Sequence, residues 1–143
     1  MGEGVAHGAG GDEPFERGLQ LARAGRYFDA HEELELAWRA ADEAERDFFQ
    51  GLVHVVVAWY QAGRGNRPGC ERQLEKAARR LARYAPAHRG VSVASVLADV
   101  DRARAAVANG SLELGEPESL QHARHGDAQP PVAIEEEQQP ERD

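Results

Sequence analysis

Within the stretch Tyr27 to Trp38, YFDAHEELELAW, a histidine and a glutamate stand four residues apart. In a helix that spacing is one turn, with Cβ atoms about 5 to 6 Å apart. An imidazole nitrogen and a carboxylate oxygen so placed can hold one ion, each at about 2.0 to 2.2 Å. His31 and Glu35 are thus candidate metal ligands, with His54 as the third. Two histidines and a carboxylate suit Zn²⁺, Mn²⁺, Fe²⁺ or Ni²⁺ and leave open positions at which water is activated for hydrolysis. Asp47 or Gln50 would orient a ligand or a bound water. The alternative chemistry needs no ion: the histidine ring N–H bonds the carboxylate one turn away, and the two form a satisfied structural pair. HEELE also approaches the zinc-protease pattern HExxH, but Glu35 replaces its second histidine.

These residues need helices to position them. At about 100° per residue, Tyr27, Phe28, Leu34, Glu35 and Trp38 all fall within roughly 60° of His31, which predicts an apolar face with His31 at its centre and Glu35 turned inward. The spacing predicts five helices in all. The first starts at Asp12 as N-cap, with Pro14 in its first turn, and ends at Gly25; the second spans Tyr27 to about Ala41. The third, about Glu45 to Ala62, is apolar over most of its circumference, with one narrow polar stripe of Arg46, Asp47, Gln50, His54 and Gln61. The fourth runs from Arg67 to Tyr84 behind an Asn66 cap. The fifth follows a Ser92 cap, with Val91 as a staple, and stops at Asn109 and Gly110. No stretch alternates with period two, so no sheet is expected. The short link between helices two and three makes them an antiparallel hairpin with His31 level with His54 and Glu35 level with Gln50, although height alone leaves the rotation of the polar stripe open.

Composition bounds the rest. The chain has 143 residues and a net charge of −8, with one cysteine and one methionine. That excludes a disulfide framework and a cysteine-based zinc site, and the reading is a single-domain, cytoplasmic protein. No stretch resembles a signal peptide, and the longest apolar run, Phe48 to Ala62, falls short of the roughly 20 residues of a membrane span. From Asp12 to Asn109, fifteen acids balance fifteen bases, whereas Gly110 to Asp143 carries nine acids against Arg124 and Arg142. Three segments are therefore expected: a disordered 1–11, a helical bundle over 12–109 and an acidic disordered tail over 110–143.

Taken together, the His-x-x-x-Glu-x-x-Trp pattern of His31, Glu35 and Trp38, the Gln50, Gly51, Leu52 segment, Asn66 and Gly69, and Gly90 after the fourth helix resemble the helical family catalogued as domain of unknown function 309. The likeness extends over roughly Phe15 to Leu97. It implies an all-α bundle and a motif suspected of binding metal at His31 and Glu35, without an established reaction. His54 comes from the hairpin register alone. Gly18, Ala30 and Ala37 also match the small-residue spacing of one tetratricopeptide-like hairpin, too few for a solenoid.

Other functions are weaker. Arg64 to Arg89 is basic, but a neutral domain with an acidic tail has little attraction for nucleic acid. GRGNRPG lacks the strand and lysine of a phosphate loop. Cys70 falls on the apolar side of helix four and reads as a packed core thiol. The sequence therefore supports two functions: a divalent-metal site at His31 and Glu35 serving metal-assisted hydrolysis, or a non-catalytic protein-interaction module, a homodimer included, in which the pair is structural.

Overall fold

The structure is a computed structural model, described for the backbone of residues 2–119 and for the side chains of residues 12–119. Among the described residues five helices follow one another, α1 (Gly2–Arg23), α2 (Tyr27–Ala40), α3 (Glu43–Gly63), α4 (Arg67–Leu81) and α5 (Val93–Ala108), with a short 3₁₀ turn, Ala82–Tyr84, closing α4. The expected all-α architecture is what forms. Among the described residues there is no strand, only an isolated bridge between His88 and Val91.

Each helix packs on the next, α1 on α2, α2 on α3, α3 on α4 and α4 on α5. The aromatic core is centred on Phe48, whose ring meets those of Phe15, Phe49, Tyr84 and His88. Small residues set the closest approaches. A Cβ at Gly18 would lie 2.7 Å from Leu34 Cγ, and one at Gly51 would lie 2.5 Å from Leu81 Cγ. Only glycine lets α1 reach α2, and α3 reach α4, this closely.

Most expected boundaries hold. Asn66 accepts from the Gly69 N–H and Ser92 from the Ser95 N–H, so both cap as their sequences imply. Val91, the expected staple, is buried. Asp12 differs: α1 begins at Gly2, so Asp12 lies inside the helix and its carboxylate meets Arg89 at 3.1 Å. The backbone of residues 2–11, expected to be disordered, continues α1, although Pro14 cannot donate to the carbonyl one turn back.

A second difference concerns the chain after α5. The stretch 110–119, assigned by its composition to the disordered tail, runs back over the bundle. Leu112 and Leu114 pack on the core, and Pro117 and Ser119 are buried. The Trp59 indole N–H donates to the Gly115 carbonyl at 2.6 Å. Scattered apolar residues cannot order a segment by themselves, but a preformed surface with polar anchors can hold them. The remainder of the expected tail, from residue 120 on, lies outside the described residues.

Candidate functional site

The buried residues of α2 are Ala30, Leu34 and Ala37. The core face is therefore centred on the small residues, roughly 90° away from His31 around the helix. His31 sits at the edge of that face. Its neighbours toward solvent are Phe28 and Glu35, and Glu35 is half-exposed, not inward. The sequence reading weighted the large side chains Tyr27, His31 and Trp38; close packing selected the alanines, because only they let α1 and α3 approach.

His31 Nε2 stands 3.3 Å from Glu35 Oε2, and Arg39 Nη2 stands 3.6 Å from the other oxygen of the same carboxylate. The predicted pair is thus present, with an arginine on its outer side. The His31 ring leans on Phe28 at 5.4 Å between centroids, and Phe28 leans on Tyr60 at the same distance. His31 Nδ1 and the Trp38 indole nitrogen are both buried without a hydrogen-bond partner among the described residues. Tyr27, one turn before His31, has its phenol pushed up to about 12 by burial, with the Glu116 carboxylate adding to the effect.

The other expected ligands go elsewhere. His54 Nδ1 donates to Gln73 Oε1 on α4 at 2.7 Å, and Asp47 accepts from Arg80 at 2.8 Å, with Arg83 at 3.7 Å. Gln61 accepts from the Asn66 side chain at 3.0 Å. Asp47, His54 and Gln61 of the α3 polar stripe thus face α4 and not His31, while Arg46 is exposed. The three recur every seven residues (47, 54, 61), and so do their partners (66, 73, 80), an antiparallel ladder that heptad spacing on both helices could have revealed. Gln50 is half-buried on the same helix. Among the described residues no three His, Cys, Asp or Glu side chains gather as a metal-holding group. The three-ligand centre of His31, Glu35 and His54 is therefore not assembled, because His54 is turned away by its bond to Gln73.

Burial lowers the His54 pKa below its ordinary range; Gln73 pulls the other way, and the cations Arg80, Lys76 and Arg79 reinforce the lowering. Cys70 is fully buried, and burial, then Glu71, pushes its thiol up, which fits a packed core thiol and not a nucleophile.

A second polar constellation was missing from the sequence reading. Glu45 Oε1 meets His88 Nε2 at 2.8 Å and Arg89 Nε at 2.9 Å, and Arg89 lies over the Phe49 ring at 5.0 Å. Burial raises the Glu45 carboxyl, but hydrogen bonds from Arg89 and His88 outweigh it and hold the group below its ordinary value. Arg89 has φ of 50°, a left-handed conformation rare outside glycine. Nothing in the spacing of His88, Arg89 and Gly90 points across to Glu45.

Fold and site together define a small all-α domain with a His-x-x-x-Glu-x-x-Trp stripe on its second helix. The model of the family described as "Domain of unknown function (DUF309)" matches residues 15–73, from α1 into the first turns of α4, so this part of the chain is similar to that family. Comparison with curated proteins and with solved structures gave no match.

Proposed function

We propose that this chain is a non-catalytic protein-interaction module whose outer α2 face is the docking surface, with His31 and Glu35 as a structural pair framing it. One observation carries the reading. Phe28 and Leu36, 47% and 46% exposed, are the exposed large hydrophobic residues among those described, and both lie on α2, on either side of Glu32 and Glu35. They stand about two turns apart with Glu32, Glu35 and Arg39 beside them, two apolar anchors on a charged face of the kind that protein partners cover. None of the described helices is long and apolar enough to cross a membrane. The test is a photo-crosslinking amino acid at Leu36 in chelator-treated cell extract. A discrete protein adduct, to a second copy or to another chain, that disappears with Phe28→Asp supports the reading, and absence of any adduct at Leu36 overturns it.

A second reading, a divalent ion at His31 and Glu35, is favoured by their separation. Two donors each about 2.1 Å from one ion at a tetrahedral angle stand about 3.4 Å apart, close to the observed 3.3 Å. These two residues fit as ligands, and solvent or a partner would have to supply the rest. Zn²⁺, Mn²⁺, Fe²⁺ or Ni²⁺ so held would support metal-assisted hydrolysis. Near-stoichiometric metal in the untagged protein, absent from a folded His31→Ala, Glu35→Ala variant, would move the function to this reading.

A further inference from the structure

Beyond the α2 face, the chain following α5 is seated in a way that shows what its seat recognises. After Gly110, whose φ of 90° redirects the backbone, Leu112 and Leu114 rest on the core and Pro117 is buried. Two contacts are to backbone groups: the Gly115 carbonyl accepts from Trp59 at 2.6 Å, and the Ser119 N–H donates to Asp99 Oδ2 at 2.9 Å. The Ser119 hydroxyl donates to the same Asp99 oxygen. Trp59 and Asp99, 6% and 3% exposed, project from α3 and α5, so the floor of the seat belongs to rigid helices.

The segment bends at Gly115, where φ is 74°, and enters a helical turn at residues 118–119, but its hold is the chemistry by which peptides are recognised: main-chain hydrogen bonds supply affinity and apolar seats supply selectivity. Asp99 makes the seat demanding. Its carboxylate is buried, and apart from Ser119 its partner is Arg102, which is largely exposed. With the segment lifted away, a buried anion would lose two donors, so an occupant that restores an N–H and a hydroxyl there is strongly favoured over an empty seat.

We infer that the surface between Trp59 and Asp99 is a peptide-recognition groove, occupied in cis by residues 112–119, and that its partner is a segment carrying Leu-x-Leu-Gly, the glycine allowing the bend seen at Gly115, with serine or threonine four residues after that glycine. Such a partner competes with the chain's own segment and enters as that segment leaves. Glu116 would leave with it, relieving the neighbouring Tyr27 phenol of one of the two influences that raise it.

The test uses the full chain with Leu112→Asp and Leu114→Asp, which loosen the segment without touching the groove floor, and a synthetic peptide of residues 110–122 as probe. The readout is the indole N–H signal of Trp59 in a protein with only two tryptophans. In the variant this signal should shift, and the peptide should return it saturably to the parent position; the parent should bind the peptide at least tenfold more weakly. Trp59→Phe in the variant background should abolish peptide binding while circular dichroism stays helical. A folded variant that ignores the peptide overturns the proposal, as does a parent that binds it equally well. Should the aspartates unfold the chain, Leu112→Ser with Leu114→Ser answers the same question. The groove is separate from the α2 face, so crosslinking at Leu36 and peptide binding here succeed or fail independently.

Discussion

At the scale of single residues, His54 shows how one hydrogen bond decides between two functions. Turned toward α2 it would have been a third ligand; bound to Gln73 it is a neutral rung between α3 and α4. Burial, with Arg80, Lys76 and Arg79 nearby, disfavours its charged form. Its folded pKa lies below the unfolded value, so its stabilising contribution is complete above about pH 6.5 and is lost as pH falls from there through the folded pKa. The unfolded chain takes up the proton first, and stability declines with it. Urea melts from pH 7.5 to 5 should therefore fall less steeply for His54→Gln, which keeps a neutral side chain. A Cε1–H resonance of His54 that titrates below the ordinary histidine range would confirm the cause, and equal slopes for the two proteins would refute it.

At the scale of helices, much was legible because local signals and packing agree. The Asn66 and Ser92 caps, the glycine stops and the apolar breadth of α3 each name an element whose place is then fixed by burial. Rotation was less legible. The α2 face was misjudged because hydrophobic size favoured the His31 side, whereas helix separation is set by Gly18 against Leu34 and by the alanines. Glycine substitutions test this directly. Within a helix, Gly→Ala gains about 1 kcal/mol from propensity. At Gly51 the new Cβ would stand 2.5 Å from Leu81, itself fully buried, and overpacking costs about 1 to 3 kcal/mol. Gly63, at the end of the same helix, has nothing within 4 Å of a Cβ. Thermal melts should place Gly51→Ala below the parent by a few degrees and Gly63→Ala level with it or slightly above; a Gly51→Ala protein as stable as the Gly63→Ala one would mean that the α3 to α4 contact is looser than described.

At the scale of the molecule, the chain is closed by two long-range ties that composition could not reveal, since each joins segments far apart in sequence. One is the segment after α5, held by Trp59 and Asp99. The other is Arg89, which links the α4 to α5 loop to Glu45 on α3 and Asp12 on α1 while lying over Phe49. Exposed ion pairs contribute little by themselves, but here one guanidinium serves two carboxylates and an aromatic face. Removing it leaves half-buried Glu45 with His88 as its remaining partner. Arg89→Ala should therefore cost about 1 to 3 kcal/mol, a Tm loss of several degrees. The backbone separates two contributions to that loss. At φ of 50° alanine keeps the left-handed penalty of about 1 kcal/mol while glycine does not, so Arg89→Gly should melt between the parent and Arg89→Ala. Loss of the parent's margin in 1 M NaCl would identify the ionic share, because screening acts on the carboxylate contacts and leaves the ring contact in place. If both variants melt with the parent, the tie is ornamental and α1 is held by its packing on α2 and by Phe15 against Phe48 and Phe49 of α3.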